Sequence, residues 1–235
     1  MGRIVAISGG ELQTTEKLNL YALKLSGKDH PKVLFIGTAS MDSDAYYSNI
    51  TSAYHKLNCD VKDLPLTKGT PDAAEINSKL EWADVIYVGG GDTRTMMQIW
   101  KQYSLDKKLK EIYEKDTAVL TGISAGAICW FRSGHSDSES FSGGKDWHYI
   151  IVDGMLGLFP YSFCPHYNEE GRDSFDSMIS DLEYDGLALE NETAFVESSG
   201  KHFIIGSRRD AKAWLFTDSD KQALNVEFCD EGGYQ

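Results

Sequence analysis

A serine flanked by glycines is the residue best placed for nucleophilic chemistry, in the run Gly122-Ile123-Ser124-Ala125-Gly126. Apolar residues 118–120 before it and 127–130 after it predict a strand, a sharp turn and a helix. Such a turn lifts the serine hydroxyl clear of the sheet edge, and the glycines avoid clashes at the bend. A common glycine-rich turn between a strand and a helix has the same residues, so the motif alone leaves both interpretations open.

A second glycine cluster, Gly89-Gly90-Gly91-Asp92-Thr93, also lies between a predicted strand and a predicted helix. Backbone amides of such a loop could supply the other half of an oxyanion hole, beside the amide of Ala125. A phosphate cradle is the rival interpretation, since glycines before a helix also suit anions. However, position 94 is Arg, which breaks the G-x-G-x-x-G pattern, and no GKS or GKT follows.

A serine nucleophile needs a base, and the chain offers six histidines. His166 follows Phe163-Cys164-Pro165, where an apolar run ends and a loop begins. Strand ends are where α/β sheets gather their functional groups, so His166 is the favoured base. A carboxylate that orients the imidazole is sought in the polar stretch 132–147, which contains Asp137, Glu139 and Asp146. Spacing alone does not choose among these three acids.

Alternating strand and helix patterns predict the scaffold that positions these groups. Strands are expected at 4–8, 32–36, 61–66, 84–88 and 117–120, and helices at 14–25, 42–57, 73–82, 93–103 and 107–114. This alternation predicts an α/β fold with a mostly parallel central sheet flanked by helices. After residue 150 the pattern is richer in strands, some of them antiparallel, at 148–152, 193–196, 203–206 and 213–216. We expect one domain over residues 1–235, with 132–147 as a functional or mobile insert rather than a domain linker.

Composition narrows the functional class. The chain has 235 residues, 41% hydrophobic and 25% charged, which argues against a disordered protein. Its net charge of −13 disfavours binding to nucleic acids and to anionic membranes. It has no apolar run near the roughly 18 residues of a membrane span, and its first apolar run is too short for a signal peptide. Four cysteines without CxxC spacing indicate reduced thiols, so we expect a cytoplasmic protein.

Three motifs in this order resemble the peptidase E family of serine peptidases, which includes aspartyl dipeptidases and cyanophycinase-like enzymes. They are Val88-Gly89-Gly90-Gly91-Asp92-Thr93, Gly122-Ile123-Ser124-Ala125-Gly126-Ala127 and Pro165-His166-Tyr167. The resemblance covers roughly residues 1–215. It implies a fold similar to class I glutamine amidotransferases, with serine in place of the usual cysteine. It also implies that Ser124 is the nucleophile, that His166 is the base, and that Gly90, Gly91 and Ala125 form the oxyanion hole.

The resemblance further implies an acid about fifteen residues beyond the serine, which gives Glu139 and a Ser-His-Glu triad, with Asp137 as the alternative. Dipeptidases of the family are specific for an N-terminal aspartate and use a basic residue after the histidine, a role that Arg172 would fill. An arginine can grip a carboxylate through two parallel hydrogen bonds. The alternative for Arg172 is an ion pair with Glu169 or Asp176.

These expectations combine into a serine peptidase that hydrolyses small peptides, with Asp-X dipeptides among the candidate substrates. No metal or organic cofactor is expected, and neither a nucleic acid nor a membrane is expected as a partner. A homo-oligomer is compatible with the sequence, which leaves the oligomeric state open. The alternatives are a noncatalytic domain of the same fold that binds a small metabolite, and a nucleotide-binding module that uses residues 89–93.

Overall fold

Parallel strands joined by helices build the first half of the chain in a computed structural model, which describes residues 2–142, 148–217 and 220–230. The strands are β1 (Arg3–Ile7), β2 (Lys32–Ile36), β3 (Asp60–Asp63), β4 (Val85–Val88) and β5 (Val119–Ile123). The helices are α1 (Glu16–Leu25), α2 (Asp44–Lys56), α3 (Ala73–Trp82), α4 (Thr93–Tyr103), α5 (Leu105–Lys115) and the short α6 (Ala125–Ile128).

Strands dominate the second half. They are β6 (Phe131–Ser136), β7 (Ile150–Asp153), β8 (Phe159–Cys164), β9 (Gly186–Leu189), β10 (Thr193–Ser198), β11 (Lys201–Gly206), β12 (Ala213–Thr217), β13 (Asp220–Ala223) and β14 (Val226–Phe228). One further short helix is α7 (Phe175–Ile179). Short 3-10 helices lie at Thr38–Ser40, Ser138–Ser142 and Arg172–Ser174.

The strands form two sheets. The larger has the order β14-β11-β10-β1-β5-β4-β2-β3, and its portion from β1 to β3 is parallel throughout. The chain then adds β10 antiparallel to β1 and β11 antiparallel to β10. The smaller sheet has the order β13-β12-β9-β8-β6-β7 and mixes parallel and antiparallel pairs. The α/β class, with a mostly parallel central sheet and added antiparallel strands, is therefore confirmed.

Both faces of the parallel sheet are covered, which explains its continuous apolar strands. In β1, Ile4 points to a core shared with α3, α4 and α5, whereas Val5 points to a core shared with α1 and α2. The first core also contains Phe131 and Phe159 from the smaller sheet, so the two sheets pack against one continuous cluster. This packing fixes the carboxyl ends of β1, β4 and β5, where the chemistry-bearing loops emerge.

The polar stretch 132–147 is not an insert over its whole length, because its first residues belong to β6. Ser133 and Ser136 are buried in that strand. Their hydroxyls are satisfied, since Ser133 Oγ accepts a hydrogen bond from Tyr184 at 3.0 Å and Ser136 Oγ donates to Thr93 Oγ1 at 3.2 Å. Buried polar groups are tolerated when they are paired in this way. A strand held by such pairs lacks the alternation of apolar residues by which a strand is recognised in a sequence.

Among the described residues, none of the helices combines the length and the apolar character that crossing a membrane would need.

The four cysteines are buried and carry free thiols. Cys129 donates its thiol to the Gly126 carbonyl at 3.2 Å, away from the position that a nucleophile at the turn would take.

Candidate active site

Ser124 occupies a sharp turn between β5 and α6. Its backbone angles are φ 56° and ψ −115°, a conformation that is strained for any residue with a side chain. The neighbouring glycines are required, because a Cβ on Gly122 would lie 2.4 Å from the Gly126 carbonyl oxygen, and one on Gly126 would lie 2.1 Å from that of Val88. The Ser124 amide also donates to the Ile7 carbonyl at 3.1 Å. The packed strands therefore hold the turn in a geometry that presents the serine hydroxyl.

His166 follows the end of β8 and also has a positive φ, 56°. Its amide donates to Ser8 Oγ at 2.8 Å, and the Ser8 hydroxyl donates to the Leu189 carbonyl at 2.7 Å. Ser8 is fully buried at the carboxyl end of β1. This serine thus ties the histidine backbone to both sheets. Ser8 is not among the residues predicted from the sequence, where its only signal is its place at the end of a buried strand.

The side chains of Ser124 and His166 meet, with 2.9 Å between Ser124 Oγ and His166 Nε2. The other ring nitrogen, Nδ1, lies 2.7 Å from Asn191 Oδ1 and 3.2 Å from Glu169 Oε1. Both of these neighbours are oxygen acceptors, so Nδ1 carries the proton and Nε2 presents its lone pair to the serine hydroxyl. That is the tautomer a general base requires.

Asn191 and Glu169 form a small network behind the imidazole. The Asn191 side-chain amide donates to Glu169 Oε1 at 2.8 Å, which turns its oxygen toward His166. Hydrogen bonding to His166 is the main cause that lowers the pKa of Glu169 to about 2, and Asn191 adds to it. From the sequence, Glu169 was named only as an alternative ion-pair partner of Arg172, and Asn191 was not named. Asn191 lies just beyond β9, a strand that the sequence did not predict.

Gly9 lies directly against the side chains of Asn191 and His166. A Cβ at this position would lie 2.1 Å from both Asn191 Oδ1 and His166 Nδ1. No real Cβ atom approaches that closely, so even alanine at position 9 would push the two side chains apart. The glycine after β1 therefore makes room for the hydrogen bond that orients the base.

Glu139 takes a different position from the one expected. Its Oε1 accepts from Arg94 at 3.3 Å, and its Oε2 lies 2.5 Å from His148 Nε2. Hydrogen bonding to His148 is the main cause that lowers the pKa of Glu139. The neighbouring Ser138 accepts the Arg94 amide at 3.1 Å, so this segment is held at the beginning of α4. The structure does not bring Glu139 to His166, and other oxygens orient the imidazole.

The sequence offered two other acids, and of these the structure describes only Asp137, for which no contact with His166 is found. Asp137 lies between β6 and the 3-10 helix, and its carbonyl accepts the Ser140 amide at 2.8 Å. Asp146 lies outside the described residues. Residues 169 and 191, far from the polar stretch in sequence, supply the groups that contact the histidine.

The glycine loop after β4 lies against the nucleophile. A Cβ on Gly90 would be 3.3 Å from the Ser124 Cβ. The Gly90 amide donates to Tyr46 Oη at 3.3 Å. Within the described part of the chain, no acceptor is found for the amides of Gly91 and Ala125.

Arg172 is buried, with 4% of its surface exposed. Its Nη1 donates to the His135 carbonyl at 2.9 Å, and its guanidinium lies 4.3 Å from the ring centre of Tyr149. Its Nε has no hydrogen-bond partner, and no carboxylate among the described residues is within ion-pair distance. The expected ion pairs with Glu169 and Asp176 therefore do not form.

The described residues contain no group of three or more His, Cys, Asp or Glu side chains that could hold a metal ion. The site consists of a strained serine, a histidine in the tautomer of a base, and a glycine loop that lies against the serine. A serine and a base in this arrangement are the groups that nucleophilic acyl transfer uses.

Comparison with known proteins identifies the family. The family model described as peptidase family S51 matches residues 4–205. The chain belongs to this family. It is 35% identical over 239 residues to the uncharacterized peptidase YgaJ of Bacillus subtilis (strain 168), with 96% of each chain covered. The resemblance to peptidase E is thereby confirmed, and this family S51 member is a serine peptidase.

Two solved structures share the fold of this family S51 chain. A peptidase from an acI-B1 Actinobacterium superposes with a TM-score of 0.70 at 21% identity, covering 96% of this chain and 95% of that one. A peptidase E candidate from Listeria monocytogenes EGD-e gives 0.66 at 21% identity, with 87% and 98% covered. At this identity the likeness concerns the fold alone.

Proposed function

We propose that this chain hydrolyses small peptides through an acyl-enzyme on Ser124, with His166 as the general base. The observation that carries the proposal is the 2.9 Å contact between Ser124 Oγ and His166 Nε2, in the tautomer that accepts a proton. A serine hydroxyl is a weak nucleophile until such a base removes its proton. The strained turn at Ser124 adds support, since strain of this kind collects at functional positions.

The reaction proceeds in two halves. Ser124 Oγ attacks the scissile carbonyl while its proton passes to His166 Nε2, and the amides of Gly91 and Ala125 donate to the oxyanion. The C–N bond then breaks, His166 returns the proton to the leaving amine, and an ester remains on Ser124. In the second half, water gives a proton to His166 and attacks the ester. The ester C–O bond then breaks, His166 returns the proton to Ser124 Oγ, and the acid is released. One oxyanion donor contributes roughly 2.7–4 kcal/mol in comparable enzymes.

Asn191 and Glu169 take the orienting role that the sequence analysis gave to Glu139. Asn191 Oδ1 accepts the Nδ1 proton, and the Glu169 carboxylate stands 3.2 Å from the same nitrogen. When His166 gains a proton, this carboxylate stabilises the imidazolium by its charge. We therefore replace the Ser-His-Glu139 triad with a Ser124–His166 pair held by Asn191 and Glu169.

Substrates with an acidic residue at the amino end, such as Asp-X dipeptides, are our proposed class. The support is Arg172, a buried cation whose Nε lacks a partner and which has no carboxylate in ion-pair distance among the described residues. A buried guanidinium without an anion is costly, so a substrate carboxylate would stabilise it. Arg172 also lies in the same turn as Glu169, since its backbone amide donates to the Glu169 carbonyl at 3.2 Å.

The nucleophile is tested with a fluorophosphonate probe and mass spectrometry. We expect covalent labelling at Ser124 in the parent protein, and neither labelling nor peptide hydrolysis in Ser124→Ala. The exposed Ser180 provides a control, since Ser180→Ala should label and turn over as the parent does. If Ser124→Ala and the parent hydrolyse peptides equally, the proposal is wrong. A folded protein that neither labels nor hydrolyses any peptide would favour the noncatalytic binding domain.

The substrate class is tested with a dipeptide library of Asp-X, β-aspartyl-X and neutral X-X members. We expect the largest kcat/KM on Asp-X, and a selective loss of that activity in Arg172→Gln. Activity confined to neutral dipeptides would remove the role proposed for Arg172 while leaving the Ser124 mechanism intact.

A further inference from the structure

The loop after β4 has four consecutive amides, and three of them are already used. Gly89 donates to the Ile36 carbonyl at 3.0 Å, and Asp92 donates to the Ala39 carbonyl at 2.8 Å. Gly90 donates to the hydroxyl of Tyr46 at 3.3 Å. The remaining amide, that of Gly91, has no acceptor among the described residues. The pattern singles out one donor in a loop whose three glycines could otherwise present several.

Tyr46 is the only side chain among these three acceptors, and it is held firmly. It comes from α2, and its ring packs edge-on to Phe35 with 5.1 Å between centroids. A Cβ on Gly89 would lie 2.9 Å from Tyr46 Cε1, so the ring is also in close contact with the loop. The same Phe35 ring also stacks on Tyr87, with 6.2 Å between centroids. The acceptor for the Gly90 amide is therefore fixed in place before a substrate arrives.

The conformation of Gly91 shows why this matters. Its φ is 137°, and a Cβ there would lie 2.2 Å from the Ala39 carbonyl oxygen, so only glycine fits. Glycine carries the largest backbone freedom of any residue, and a run of three would sample many orientations. The flanking bonds of Gly89 and Asp92 hold the ends of the run, and the bond to Tyr46 holds its middle. Preorganised donors are what make an oxyanion hole effective.

We propose that Tyr46 is a positioning residue of the oxyanion hole. Its hydroxyl accepts the Gly90 amide and thereby leaves the Gly91 amide, paired with that of Ala125, to receive the oxyanion. This inference rests on the proposed function, since it assigns a role within the acyl transfer at Ser124. The proposal also assigns the oxyanion to the Gly91 amide, whereas the family resemblance implied both Gly90 and Gly91.

The charge state of Tyr46 fits this role. Burial raises the pKa of its phenol, although its hydrogen bond to Gly90 partly opposes the rise. The group therefore stays neutral at physiological pH. A neutral hydroxyl can accept the Gly90 amide without adding a negative charge beside the oxyanion, whereas a phenolate would oppose that charge.

The test is the Tyr46→Phe variant, which keeps the ring and removes the acceptor. Tyr54→Phe is the matched control, because Tyr54 lies in the same aromatic cluster but donates its hydroxyl to Asn19 Oδ1 at 3.1 Å, away from the loop. For each protein we would measure kcat and KM on the best dipeptide of the library. We would also measure the inhibition constant of the amino aldehyde that matches its acyl-side residue, which forms a tetrahedral adduct with the serine.

We expect Tyr46→Phe to lower kcat about 10-fold with KM within about two-fold of the parent, since the lost interaction belongs to the transition state. The aldehyde should bind more weakly by the same factor. Tyr54→Phe should lower the melting temperature without changing either constant. A merely structural Tyr46 would give the same result as Tyr54→Phe, and that outcome overturns the proposal.

The parent protein separates this inference from the function on which it rests. If the parent labels at Ser124 and hydrolyses peptides while Tyr46→Phe keeps the parent kcat, only the role of Tyr46 is wrong. If the parent shows neither labelling nor hydrolysis, the peptidase mechanism and the role of Tyr46 fall together. A rise in kcat in Tyr46→Phe would show that the freed Gly90 amide is the better donor, which also contradicts the proposal.

Discussion

Two histidines lie within or just after neighbouring strands of the smaller sheet, and their surroundings favour opposite charge states. His135 lies within β6, and His166 follows the end of β8, which pairs with β6 in parallel. His135 is fully buried, whereas the side chain of His166 keeps 17% of its surface exposed. Their environments differ even more than their exposure. The difference shows what this fold supplies to turn an imidazole into a base.

The charges around the two rings have opposite signs. His166 Nδ1 faces the oxygens of Asn191 and Glu169, which stabilise a protonated ring. His135 Nδ1 lies 3.5 Å from both Cys164 Sγ and Arg172 Nη1. Burial, followed by the charge of Arg172, lowers the pKa of His135 to about 3. His135 therefore stays neutral and packs as part of the core, whereas His166 has an anion behind it and the Ser124 hydroxyl in front.

Replacing each histidine with glutamine should separate these roles most strongly. His166→Gln removes the base, so we expect kcat to fall by at least about 10⁴-fold with little change in melting temperature. His135→Gln should do the reverse, because it disturbs a buried ring stacked on Tyr149 with 4.8 Å between centroids but leaves the Ser124 contact in place. Steady-state kinetics and thermal melts of both variants provide the measurement.

A large loss of kcat in His135→Gln, measured well below its melting temperature, would contradict the view that His135 is a core residue and His166 alone is the base. In that case the buried ring would take part in catalysis through Arg172, and the comparison would have to be redrawn around both histidines.

Much of this contrast could be predicted from local sequence, because the motifs report local backbone requirements. The turn at Ser124 needs small residues on both sides, and the apolar strand before it fixes its place at the sheet edge. The position of His166 follows from the same logic, since it comes directly after an apolar run. The parallel sheet could equally be predicted from the sequence, because both of its faces are buried and its strands are continuously apolar.

The groups behind His166 could not be derived in the same way. Asn191 reaches the ring only because β9 pairs with β8 in the smaller sheet, and nothing in the local sequence announces that pairing. The family pattern implied Glu139, but Arg94 and His148 compete for its two oxygens. Contacts of this kind depend on tertiary packing, which is why the sequence did not reveal Asn191 and Glu169 as the neighbours of the imidazole.

The buried histidine should also make stability depend on pH. Above about pH 6.5, the ordinary pKa of histidine, His135 is neutral in the folded and unfolded states and contributes nothing. Below it the unfolded chain binds a proton that the folded protein accepts only near pH 3, so acid favours unfolding. Between pH 7 and pH 5 the free energy of unfolding should fall by about 2 kcal/mol on this account.

Urea unfolding of the parent and of His135→Gln at both pH values isolates this contribution, because the other titrating groups are common to both proteins. We expect the parent to lose more stability than the variant over this interval. Equal losses would mean that His135 takes up its proton in the folded state, contrary to the neutral, buried ring described above.

The carboxylate behind His166 should give the smallest effect of the three. Glu169→Gln keeps the size of the side chain and the oxygen that accepts from Asn191, but it removes the charge 3.2 Å from His166 Nδ1. Since 46% of the Glu169 side chain is exposed, solvent screens this charge, and we expect kcat to fall only about 10-fold. The pKa of Glu169 is about 2, so the parent carboxylate stays ionised throughout a profile from pH 5 to 9.

The loss in Glu169→Gln should fall on kcat, with KM within about two-fold of the parent at each pH of this profile, because the imidazolium that forms in the transition state loses the anion beside it. Glu170→Gln is the control, since its exposed neighbouring carboxylate changes the charge of the same turn. A structural role for Glu169 would lower the melting temperature and leave kcat unchanged. If Glu139→Gln lowered kcat further than Glu169→Gln does, the acid implied by the family pattern would regain its place. The carboxylate behind His166 would then be only a spectator of the proton transfer.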